Sequence, residues 1–127
     1  MKTVITSDKS FEDVCQALET AVPAHKFGIV ATHDLKATMN KKGVEFDAEV
    51  KVYEICNPMK AKAVLLEDMD LSSALPCRIS VYEKDGKTHI GMINPTAILK
   101  MLNPSESLQT IAEEVEKISL DIINEVK

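Results

Sequence analysis

Two of the three cysteines stand where thiol chemistry can be built. Cys56 follows an extended run and opens Cys56-Asn57-Pro58, and Cys77 sits in Leu75-Pro76-Cys77-Arg78, which announces a new strand. If the helix between them folds back, the two ends meet, and two neighbouring thiols can bind a soft metal, cycle as a disulfide, or hold a haem iron through one sulfur. A thiolate at Cys56 would gain from the positive end of a helix starting at Pro58, and Arg78 places a cation next to Cys77 in the chain. Against this, no Cys-x-x-Cys pattern is present, and a structural role for both thiols is the simpler reading. His25, His33 and His89 lack metal-ligand spacing. No serine sits in a nucleophile elbow and the four glycines form no phosphate-cradling loop. The chain is therefore expected not to be a hydrolase, kinase or dinucleotide enzyme.

The elements that must position these residues follow from periodicity. Residues 3 to 6 read as a short strand, and Ser10 caps a helix with Phe11, Val14, Cys15, Leu18 and Val22 on one stripe, closed by Pro23. Cys15 on that stripe is read as a core residue. Phe27 to His33 reads as a strand, and Asp34 to Lys42 as a helix stopped by Gly43. From Val44 the alternation places Val44, Phe46, Ala48, Val50 and Val52 on a buried face, with Glu45, Asp47, Glu49, Lys51 and Tyr53 on a wet one. By that parity Cys56 points with Val52 towards the helices. A helix is expected over Pro58 to Glu67.

Asn57-Pro58, Asn94-Pro95 and Asn103-Pro104 are each read as helix starts, with Glu106 completing a box-like cap on the third. Asp85-Gly86 is a two-residue hairpin turn. Counting outward from it pairs Val81 with Ile90, Ile79 with Met92 and Cys77 with Asn94 on one face. On the other it pairs Tyr82 with His89, Ser80 with Gly91 and Arg78 with Ile93. The last helix presents Leu108, Ile111, Val115, Ile118, Ile122 and Val126 as its stripe and an acidic outer face. Residues 1–127 thus form one α+β domain: a mainly antiparallel five-stranded sheet with helices packed on one face and a long C-terminal helix.

Composition narrows the function classes. A formal charge of −5 gives no basic field for nucleic acid or an anionic membrane, no run reaches transmembrane length, and the start of the chain lacks a signal-peptide pattern. A cytoplasmic protein with free thiols is expected. With Trp absent and few aromatics, the core should be aliphatic, with Met39, Met59, Met69, Met92 and Met101 as fillers. Tyr53, Ile55, Arg78, Tyr82, His89 and Ile93 on the wet sheet face suit a subunit interface or a small-ligand groove, the interface being the simpler choice.

At Tyr53-Glu54-Ile55-Cys56-Asn57-Pro58, Leu75-Pro76-Cys77-Arg78-Ile79 with Val81-Tyr82-Glu83, and Asn94-Pro95, the chain resembles the domain of unknown function 302 family over nearly its whole length. The resemblance implies a compact α+β fold and a homodimer, and no settled activity or catalytic residue. Combined with the residues, it leads to a non-enzymatic, homodimeric small-ligand or cofactor binding domain, the cofactor unknown, with Cys56, Asn57, Cys77, Arg78, Tyr53, Tyr82 and His89 as site residues. The alternative is a thiol-dependent redox, metal or haem protein using Cys56 and Cys77.

Overall fold

The structure, a computed structural model, describes residues 1–127. The chain runs β1 (Lys2–Ser7), α1 (Phe11–Ala24), β2 (Gly28–Asp34), α2 (Leu35–Lys41), β3 (Val50–Cys56) and α3 (Pro58–Glu67). A 3-10 helix (Met69–Ala74) then leads to β4 (Cys77–Lys84), β5 (Lys87–Ile93), α4 (Pro95–Leu102) and α5 (Glu106–Val126). The five strands form one antiparallel sheet in the order β1-β5-β4-β3-β2. It is an α+β fold with a long C-terminal helix, as the patterning predicts.

Local chemistry explains most boundaries. Ser10 caps α1 by accepting from the Asp13 amide, and Asp34 caps α2 by accepting from Ala37. Pro23 lies inside the last turn of α1 instead of closing it, and the chain reverses at Lys26, whose φ is 65°. The β4–β5 turn places Asp85 and Gly86 at φ 55° and 74°, the paired positive values that a two-residue hairpin of matching twist demands. Val81–Ile90, Tyr82–His89 and Ser80–Gly91 pair as counted from that turn. The ladder ends at Ser80–Gly91, so the expected pairs of Ile79 with Met92, Cys77 with Asn94 and Arg78 with Ile93 are not part of it.

One Asn-Pro reading needs correction. Asn103 ends α4 instead of starting α5: its amide donates to Asp68 (2.9 Å), its Oδ1 accepts from the Ser105 amide, and Ser105 caps α5. Asn94 does precede α4, but its side chain accepts from the Thr3 hydroxyl. The free amide of Thr96 goes to Glu116 of α5 instead, along with the Thr96 hydroxyl (2.7 Å).

The main core lies between the sheet and the helix pair α1 and α5. Phe11, Val14, Leu18 and Val22 of α1 and Ile122, Ile123 and Val126 of α5 meet Tyr53, Ile55, Ile79, Val81 and Ile90 of the strands. Here the expected parity of β3 is inverted. Tyr53 and Ile55 are fully buried, while Val50 and Val52 lie half-buried on the opposite face, and residues 44–49 precede the strand without joining it. The pairings Tyr53–Ile79 and Ile55–Cys77 fix this, because directly opposed residues share a face and Ile79 and Val81 point into the helices. A second, smaller core of Val64, Leu71, Leu99, Leu108 and Ala112 joins α3, the 3-10 helix, α4 and the start of α5, and Ile111 packs against both cores. The methionines are not mainly fillers: Met92 is buried, but Met59, Met69 and Met101 are 82%, 71% and 70% exposed because they fall on the outer sides of their helices.

Candidate functional site

Where the two cores meet, packing is incomplete. An apolar cavity of about 40 Å³ lies between the end of β3, the start of β4 and helices α3, α4 and α5. Cys56 and Cys77 both line it, with Phe27, Val64, Leu99 and Val115 among the other walls. The two ends of the Cys56-to-Cys77 excursion therefore converge, since Ile55 pairs directly with Cys77. Cys77 faces the cavity by strand alternation. Cys56 reaches it by a different route from the one expected: its parity with Val52 assigns it to the other face, but β3 ends there and the chain turns into α3.

Asn57 is spent on making that turn. Its Oδ1 accepts from the amides of Met59 (3.0 Å) and Lys60 (3.1 Å), and its Nδ2 donates to the Lys26 carbonyl (3.3 Å), so it ties the turn between α1 and β2 to the β3–α3 junction at the cavity's edge. Lys60, another wall residue, forms an ion pair with Glu114 that ties α3 to α5.

Next to the cavity runs a longer groove of about 360 Å³, sharing Leu75, Pro76, Cys77, Pro95 and Leu99 with it. Its other walls include Arg78, Ile93, Ile98 and Leu102. Periodicity could have found one side of this wall: Pro95, Ile98, Leu99 and Leu102 follow the i, i+3, i+4, i+7 pattern of one helical face. Leu102 remains 57% exposed, so that face is only partly used by the core.

Electrostatically the thiols are quiet. Burial, followed by repulsion from a charge on Cys56, pushes the Cys77 thiol up to about 11. Burial raises Cys56 as well. Arg78 gives no help, because it follows Cys77 on the strand and points to the opposite face, where its Nε and Nη2 donate to Glu54 Oε1 at 3.3 and 3.2 Å. His33 Nε2 lies 3.5 Å from Glu54 Oε2 and completes a surface cluster. No group of three or more His, Cys, Asp or Glu side chains is arranged to hold a metal ion.

The other residues singled out in the sequence lie elsewhere. Tyr53 is a core residue, not a wet-face one: its hydroxyl donates to Glu19 (2.7 Å), and burial, followed by the bond to Glu19, raises its pKa. Ile55 is likewise buried in the core. Tyr82 and His89 stack with ring centroids 5.2 Å apart on the uncovered sheet face, His89 also contacting Thr6 (3.3 Å) and the Lys84 carbonyl (3.2 Å). The junction thus gathers Cys56, Asn57, Cys77 and Arg78 and leaves out Tyr53, Tyr82 and His89.

The comparisons with known proteins agree with this architecture. One solved relative, described as the crystal structure of an uncharacterized conserved protein DUF302 from Bacillus stearothermophilus, superposes with a TM-score of 0.93 at 27% identity, covering 99% of this chain and 98% of its own. No curated protein matches the chain. The family model for the domain of unknown function DUF302 matches residues 3–126, and with nearly every residue included the chain belongs to that family.

Proposed function

We propose that this domain is a non-enzymatic, homodimeric, cytoplasmic binding protein for a small molecule, seated at the junction of Cys56-Asn57-Pro58 and Leu75-Pro76-Cys77-Arg78. The observation that carries the reading is the apolar cavity left between two otherwise separate cores, continued by a groove that shares Pro76, Cys77 and Leu99 with it. The groove's volume falls in the range of small-molecule sites, roughly 300–1,000 Å³, whereas the cavity alone holds little more than one small group. The ligand therefore lies in the groove with one end against the thiols. Raised thiol pKa values support a binding role over a catalytic one, because the thiolate is the reactive form. Exposed Val4 and Ile93 on the uncovered sheet face support a second copy as partner.

A second reading, thiol-dependent redox, metal or haem binding, rests on the convergence of Cys56 and Cys77 on one cavity. Replacing both with Ser separates the two. If metal content, visible absorbance and thiol titration show no loss of a thiol-dependent centre while bound ligand persists, the first reading stands. Loss of a metal, chromophore or reversible disulfide in the double variant replaces it with the second. Sedimentation tests the dimer: Val4→Glu on the sheet face should yield monomers, and a chain already monomeric in its unaltered form overturns that part.

A further inference from the structure

We infer that the groove takes an amphiphile with an aliphatic tail and a carboxylate head, the head held by Arg78; this rests on the binding role proposed above and names its ligand class. The tail follows from the walls. Pro76, Ile93, Ile98, Leu99 and Leu102 are all aliphatic, and no aromatic ring borders the groove. A flat aromatic ligand would find no stacking partner there, while an alkyl chain fills such a channel by area burial alone. The cavity behind Cys77 has room beyond what one water needs, but Asn57 and Lys60 are its only polar walls besides the thiols, and both are already engaged. Such a space favours the end of an apolar chain over water.

The head follows from charge. Arg78 is the one charged residue lining the groove, and it also borders the uncovered sheet face with Lys2 and Ile93. Lys2 pairs with Ile93 across β1 and β5, which sets a second cation two strands from Arg78. Glu54 takes Nε and Nη2 of the guanidinium with one oxygen, but Nη1 makes no hydrogen bond within the chain and is free for an anion. Glu54 therefore does two things: it fixes the guanidinium plane, and it opposes any anion that binds beside it. The two thiols, neutral at physiological pH, add no charge to oppose the tail.

Octanoate and octanol, equal in tail and different in head, test this on the full chain by titration followed through the amide signals of Cys77, Ile93 and Leu99. Octanoate should bind about tenfold more tightly than octanol, the size of one charge-assisted hydrogen-bonded contact. Arg78→Met should bring octanoate down to the octanol value. Glu54→Gln should tighten octanoate severalfold with no effect on octanol, an outcome a purely structural role for the pair does not produce. Equal binding of the two probes by the unaltered chain, or an octanoate preference that survives Arg78→Met, overturns the carboxylate assignment while leaving the binding role intact. Failure of octanol as well as octanoate to move any of these signals overturns both. The comparison of the two probes on the unaltered chain and Glu54→Gln decide the matter even if Arg78→Met does not fold.

Discussion

The state of the Cys77 thiol gives the sharpest quantitative prediction, because its burial sets both a rate and a stability. With its pKa raised from 9.0 to about 11, chiefly by desolvation, the thiolate fraction at pH 7 drops roughly a hundredfold below that of an ordinary thiol. The greater nucleophilicity of a high-pKa thiolate returns about tenfold of that loss, so Cys77 should be alkylated at least about tenfold more slowly than in the unfolded chain, before steric cover is counted. The rate should then climb about tenfold for each pH step up to pH 10. The stability consequence has a definite sign. The folded chain holds this proton more tightly than the unfolded chain, so its contribution is fully present below pH 9 and is lost as pH rises through about 11. The gap between the two values is worth at most ~2.7 kcal/mol, and Cys77→Ser should remove that part of the alkaline decline. Iodoacetamide alkylation with peptide mapping from pH 7 to 10, beside urea unfolding of both chains, measures each effect. Alkylation as fast as in urea, or a rate that levels off below pH 8.5, would refute the burial argument.

Two further outcomes test the packing. The inverted parity of β3 predicts that Tyr53→Lys, which buries an ammonium among core side chains, destabilises by more than about 3 kcal/mol or prevents folding, whereas Val52→Lys on the uncovered face costs under about 1 kcal/mol; chemical denaturation of the two variants reads the contrast, and the reverse order would restore the face assignment that alternation alone suggests. Ile122→Ala, at a fully buried position between α5 and the sheet, should cost about 2–5 kcal/mol in the same assay, and a loss below about 1 kcal/mol would mean that α5 is not seated as described.

How much of this was legible in the residues depends on whether a local rule or a tertiary one decides. Asp85-Gly86 fixes the centre of its hairpin because the turn geometry is local, and the pairs nearest the turn followed from counting. Ser10, Asp34 and Asn57 mark helix starts for the same reason. Asn103 misled because an Asn before Pro has two uses, and here Asp68 and Ser105 claim its side chain. The β3 alternation misled more seriously. Val50 and Val52 look like core residues, but the helices cover the other face, and a tyrosine can occupy the covered side when Glu19 accepts its hydroxyl proton. Period two tells that a strand has two faces and not which one the helices choose. At the candidate site, the cysteine-bearing motifs pointed to the corner where Cys56 and Cys77 converge, but the cavity itself arises from how two cores fail to merge, a property of packing that no motif encodes.

The central claim is that the corner beside Cys77 is a binding groove. Native mass spectrometry of protein isolated without added cofactor, compared with Ser73→Trp, which sets a bulky ring at an exposed groove position, tests it most directly. The account predicts a non-covalent adduct of small-molecule mass on the unaltered chain that is absent from the folded Trp variant. An unliganded mass for both chains, or the same adduct on both, would contradict it.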